Sequence, residues 1–164
     1  MAEVKVYGLK SLKTGTPLPS GDMQTNLTEL CRTYRDSCEF TEDDPETTDE
    51  YSDQSDDPIL TIATKGKKMI KVSTFDYDPA VLVKVKGGTI VNGQWAEPAV
   101  MPEIFMAVRL ETDSDVPFDI PKAKVMAKIN AKLQKKGIAL LELTFIPQSP
   151  AAGKPAVLIG KRTG

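Results

Sequence analysis

The stretch Asp76–Gly88, DYDPAVLVKVKGG, writes both ends of one short helix into the chain. Asp78 predicts an N-cap, because its carboxylate can accept from the free backbone N–H groups of the first turn. Pro79 suits the first helical position, where a missing N–H costs nothing. Val81, Leu82 and Val85 predict an apolar packing stripe. Lys84 and Lys86 complement the negative end of the helix dipole. Gly87 or Gly88 predicts a left-handed stop. A helix this short is unstable in isolation, so a sheet must be built to hold it.

The rest of the chain reads as that sheet. Lys5 to Leu9, KVYGL, predicts a first strand with a bend at Gly8. KTGTPLPSGD, residues 13–22, predicts a loop. MQTNLTEL alternates and predicts a strand; CRTYRDSCEF allows a helix, but Tyr34, Cys38 and Phe40 on one parity suit a strand ending at an acidic run. Pro58 onward reads as a strand apolar on both faces. Lys65-Gly66-Lys67 then predicts a tight turn, with MIKVSTF returning as the other arm of a hairpin. Asn92-Gly93 in TIVNGQW is the preferred pair for a type I′ hairpin turn. MPEIFMAVRLET alternates Ile104, Met106, Val108 and Leu110 against Phe105, Ala107, Arg109 and Glu111. GIALLELTFIPQ places Leu141, Leu143 and Phe145 on one side.

FDIPKAKVMAKINAKLQKKG is ambiguous. Met126, Ile129 and Leu133 fall at helical spacing, and the composition favours a helix. As a strand, Ile120, Lys122, Lys124, Met126 and Lys128 would share one face, backed by Ala123, Val125, Ala127 and Ile129. The expected architecture is mainly β (α+β): an antiparallel β-sandwich or partly closed barrel with one short helix packed against it, plus an extended acidic β-hairpin loop. The 164 residues suit a single domain, 1–164, with an N-terminal strand and loop over 1–22, the acidic loop over 41–57 and a C-terminal arm over 148–164.

Between Glu39 and Asp57 lie ten acidic residues and no basic one. A solvated or disordered loop is the bland explanation. Phe40 and Tyr51 flank the run and Thr47 and Thr48 lie inside it, which suits an exposed β-ribbon turning near Asp43-Asp44-Pro45. A calcium loop would need a D-x-D-x-D-G spacing that is missing. The candidate contact residues are Glu42, Asp43, Asp44, Glu46, Asp49, Glu50, Asp53 and Asp56. Lys122, Lys124, Lys128, Lys132, Lys135 and Lys136 form an opposite, basic stretch with no acid between them. These two sets are solvated surfaces, or the lysines bind phosphate, or the acidic ribbon of one copy meets the lysines of another. The last arrangement gives heterologous contacts, which build rings or filaments. The lysine stretch lacks the interleaved aromatic residues that stacking on nucleic-acid bases needs.

Chemistry is hard to place on this chain. It has no histidine, which removes the commonest general base and every Ser-His-Asp or Cys-His arrangement. No phosphate loop, nucleophile elbow, zinc-protease or dinucleotide motif occurs. Cys31 and Cys38 are expected as free thiols, not as a zinc site. No catalytic residue, metal or cofactor is expected, and the chain is expected not to be an enzyme. The formal net charge of −2 argues against nucleic-acid binding by bulk charge. No apolar run is long enough for a transmembrane helix, and the N-terminus reads as no signal peptide, so a cytoplasmic start is expected.

The order Y-R-D-S-C-E-F-T-E-D-D-P-E-T-T-D-E-Y, a hairpin, D-Y-D-P-A-V-L-V-K-V-K-G-G and an N-G hairpin resembles the major tail tube proteins of long-tailed phages. The later I-P-K-A-x-V-x-A-K-I-N and G-I-A-L-L-E-L-T-F-I-P are also similar to the last strands of that family. The resemblance spans about Tyr34 to Pro147, and it favours a strand over Ile120–Asn130. It implies a structural virion protein, assembled in the host cytoplasm, that forms hexameric rings stacked into a tail tube through which DNA passes without specific binding. Implied partners are further copies of the chain and tape-measure and tail terminator proteins, with no membrane. The alternatives are a monomeric β-sandwich binding module and a related component, a terminator or an injection-tube subunit.

Overall fold

The computed structural model describes residues 3–161. The ends of the N-terminal segment 1–22 and of the C-terminal arm 148–164 lie outside the described residues. Strand accounts for 43% and helix for 5% of the chain, so the protein is mainly β. The main sheet runs β2 (Thr28–Glu29), β1 (Leu9–Gly15), β9 (Ile104–Thr112), β10 (Phe118–Asn130), β11 (Leu140–Pro147), β6 (Lys68–Thr74) and β3 (Glu39–Glu42), with β12 (Leu158–Ile159) beside β10. Every neighbouring pair is antiparallel.

The sheet curls without closing into a barrel. One broken segment spans its two ends. Glu29 pairs with Lys13 of β1 and the Leu30 N–H donates to the Leu12 carbonyl; then Thr33 bridges Thr74 and the Tyr34 N–H donates to Ser73 of β6. Inside the curl, Leu12, Ile70, Val72, Val108, Ile120, Val125, Leu141, Leu143 and Phe145 form the core. The alternation predicted for β9 and β11 is therefore what fills it.

Helix α1 (Pro79–Lys86) plugs the curl with Val81, Leu82 and Val85. Asp78 caps it through a hydrogen bond from the Ala80 N–H, as expected. Its stop differs from expectation. Gly87 has φ 76° and ψ −161°, a mirror-extended conformation that is essentially glycine-only, not the left-handed helical one. The two glycines let the hairpin β7 (Thr89–Val91) and β8 (Gln94–Ala96) fold back on the helix end, where the Trp95 indole N–H donates to the Gly87 carbonyl. Asn92 and Gly93 both take positive φ, as the type I′ turn requires.

Several local expectations are corrected. The first strand is Leu9–Gly15, so Lys5–Gly8 lies outside it and part of the predicted 13–22 loop lies within it. Within MQTNLTEL only Thr28–Glu29 is strand. The ambiguous stretch is strand to Asn130, but the register shifts between Ile120 and Ala123. That irregularity turns Ile120 inward with Ala123 and Val125, away from the face holding Lys124, Met126 and Lys128. The C-terminal arm folds onto its own domain, where β12 takes the edge of β10 just beyond the end of β11. Among the described residues, no helix is long and apolar enough to cross a membrane.

Candidate functional site

The acidic run does form a ribbon, but with another partner and turn. β4 (Glu46–Glu50) pairs with β5 (Leu60–Thr64), so the turn lies over 51–59 and not at Asp43-Asp44-Pro45. The pair Glu46↔Thr64 continues the register of Glu42↔Lys68. β3–β4 and β5–β6 are thus one long hairpin, kinked where Asp43–Pro45 faces Lys65–Lys67. The predicted tight turn at Lys65-Gly66-Lys67 is a kink in the middle of that arm. β5 and β6 do not pair, because β3 and β11 occupy both edges of β6.

Beyond the kink the arm stands free: all ten residues of β4 and β5 are exposed. Glu46 and Glu50 share a face with Leu60 and Ile62, whereas Asp49 lies on the other with Thr61, whose hydroxyl donates to its carboxylate at 2.7 Å. Asp53 and Asp56 sit in the tip. Glu42 belongs to the main sheet and meets Lys68 at 3.5 Å; Asp43 and Asp44 sit at the kink. Among the described residues, Asp43, Asp44, Glu46, Glu50, Asp53 and Asp56 make no ion pair. No group of carboxylates or thiols among the described residues is close enough to hold a metal ion.

The basic stretch splits in two. Lys122, Lys124 and Lys128 lie along β10. Lys122 sits 4.7 Å from the centre of the Phe105 ring and Lys124 lies 3.9 Å from Glu103. Lys132, Lys135 and Lys136 ride the exposed β10–β11 loop together with Leu133, which is 89% exposed. Among the described residues no lysine of this set meets an arm carboxylate.

The strand registers explain why. Leu141 pairs with Thr74 at the far end of β6, whereas the arm leaves from Lys68 at its near end. At about 3.3 Å per residue, roughly 20 Å of β6 separates them before either projection begins. The acidic arm and the lysine loop are therefore opposite poles of one sheet. Exposed apolar side chains accompany each charge: Tyr51, Ile59, Leu60 and Ile62 on the arm, and Ile129, Leu133 and Ile138 at the lysine pole. Sequence patterning shows both charge sets but not their opposition, which depends on which strands pair.

A second feature has no signal in the sequence. A cavity of about 870 Å³ lies between the β1 side of the sheet and the segment that leads into β3. Cys31, Cys38, Tyr34, Phe40 and Phe118 contribute to its wall. Both thiols are free. Burial pushes Cys38 up to about 11 and raises Cys31 as well, so neither is an activated nucleophile.

No protein-family description matches this chain, and no curated protein matches it.

Proposed function

We propose that the protein is a self-assembling structural subunit, a tail-tube-like component whose copies stack head to tail. One observation carries this reading: the unpaired acidic arm and the unpaired lysine loop project from opposite ends of the same sheet. Opposite charges on one face would favour pairing within a molecule or face-to-face dimers. Opposite charges at opposite ends instead suit translation of one copy onto the next, which continues without limit or closes into rings. The apolar residues at both poles would lose water in such a contact, adding area that charge alone does not provide. The rings would be hexameric, as the family resemblance implies. The stacked rings would enclose a conduit for DNA, and a chain without net positive charge would let DNA pass without holding it. Tape-measure and terminator proteins would be the partners inside and at the end of the tube, and the virion its location. No catalysis enters this role.

The test is electron microscopy and sedimentation of the purified protein across salt concentrations. Rings or filaments should form at low salt and disperse at high salt, because exposed charges are screened beyond about 10 Å at 0.1 M. Changing Lys132, Lys135 and Lys136 to Glu should abolish assembly. Mixing in copies with Glu46, Asp49 and Glu50 changed to Lys should restore it. A chain that stays monomeric at high concentration in every salt condition would rule the reading out.

A further inference from the structure

The run Ile59–Thr64, ILTIAT, is rich in apolar and β-branched residues and holds no charge and no proline, the composition of a strand that recruits another strand. Among the described residues β5 pairs with β4 alone, so its other edge keeps unpaired N–H and C=O groups. Its side chains are open as well. Leu60 is 53% and Ile62 51% exposed, and the two share one face of the ribbon. Proteins usually blunt such an edge with charge. β4 carries Glu46, Asp49 and Glu50 for this, whereas β5 carries none.

The charges of this strand lie at its two ends and are opposite in sign. Asp56 and Asp57 precede it, and Lys65 and Lys67 follow it. All four are exposed, and among the described residues none of them makes an ion pair. A strand that fits this edge must be apolar in the middle, basic where it meets Asp56-Asp57 and acidic where it meets Lys65-Gly66-Lys67. An antiparallel copy of β5 has that pattern. A parallel copy would set acid against acid and lysine against lysine.

We infer that β5 pairs edge to edge with β5 of a second copy of the chain, antiparallel about a two-fold axis through Ile62. In this register Ile62 faces Ile62, Leu60 faces Thr64, Thr61 faces Ala63 and Asp57 faces Lys67 of the second copy. Leu60 and Ile62 of both copies then form one apolar cluster on a single face, each Leu60 diagonal to the opposite Ile62. A slip of one residue would turn one copy's Leu60 and Ile62 to the other face, which pins the register. The acidic β4 strands become the outer pair of a four-stranded sheet. At about 4.8 Å per strand they lie roughly 14 Å apart, beyond the screening length of about 10 Å at 0.1 M salt. The contact is isologous, so it closes at two copies. It uses the edge of the arm and needs no lysine from the β10–β11 loop, so it does not rest on head-to-tail stacking.

The test is disulfide trapping of Ile62→Cys, with oxidised glutathione supplied as the oxidant. The exposed position tolerates the change, and the two-fold axis brings the two Cα atoms to about 4.5–5.5 Å, within disulfide reach. A covalent dimer should form in high salt, where stacking is screened, about tenfold faster than from Thr48→Cys, which sits directly across the ribbon on β4. The unaltered chain, with Cys31 buried and Cys38 half-buried, should form none. At low salt, adding Asp57→Lys should slow trapping several-fold, and adding Lys67→Asp as well should restore it. Absence of a covalent dimer, or equal rates for Ile62→Cys and Thr48→Cys, overturns the inference. So does a charge reversal without effect, since the register sets Asp57 on Lys67. Changing Lys132, Lys135 and Lys136 to Glu should leave trapping unaltered, so loss of stacking and loss of this pairing are read separately.

Discussion

Gly66 lies against the backbone of Asp43 so closely that a Cβ at position 66 would sit 1.8 Å from the Asp43 carbonyl oxygen. The kink that carries the arm out of the sheet depends on that approach. Gly66→Ala must push the two strands apart, at a cost of about 1–3 kcal/mol, the usual range for forced overpacking. Thermal unfolding should show the loss, and hydrogen exchange should place it in β4 and β5 before the main sheet.

Leu82 is the centre of the helix stripe and packs in the core with Val81 and Val85. Leu82→Ala should destabilise the fold by about 2–5 kcal/mol, whereas Leu82→Met should cost under about 1.5 kcal/mol. Urea unfolding distinguishes the two. Equal, small losses for both would mean that the helix does not brace the sheet.

The Arg109 guanidinium donates to Asp119 at 2.7 Å, and the two ends of this pair are not equally buried. The Asp119 side chain is 9% exposed and that of Arg109 23%. Removing Arg109 leaves a buried carboxylate without its cation, so Arg109→Met should cost about 3–5 kcal/mol. Asp119→Asn leaves a guanidinium that can still reach water, and its cost should fall nearer 1.5–3 kcal/mol, roughly that of a lost charged hydrogen bond. Urea denaturation of both variants checks the order.

Cys38 should resist alkylation at pH 8, where a thiol pushed up to about 11 is almost wholly protonated. Its rate should climb only as pH rises towards that value. The neutral thiol is the form that the fold favours, so the stability it contributes is present below the ordinary thiol value of about 8.5 and is lost as pH rises from there towards 11. Cys38→Ser should therefore flatten the alkaline loss of stability. Rapid labelling by iodoacetamide at pH 8, without unfolding, would show that the site is open.

The N-cap of α1, the Asn92-Gly93 turn and the alternation of β9 and β11 were legible in the sequence because each depends on residues a few positions apart. Asp78 meets Ala80, and Asn92-Gly93 needs only its own two dihedrals. The partner of β5 was not legible. A glycine between two lysines looks the same in a turn and in a kink, and the choice turned on the competition of β3, β5 and β11 for the two edges of β6. The helix-or-strand choice over Phe118–Asn130 was settled the same way, by ladders to β9 on one side and β11 on the other.

The candidate surfaces divide along the same line. The sequence by itself determined which residues carry charge and that the acidic run would be exposed, because composition and hydropathy alone decide solvation. Only the tertiary structure decided that Glu46–Glu50 and Lys132–Lys136 stand at opposite ends of one sheet, and that a cavity lies between the β1 and β3 sides. Both follow from strand pairing between residues tens of positions apart, which local propensity does not encode.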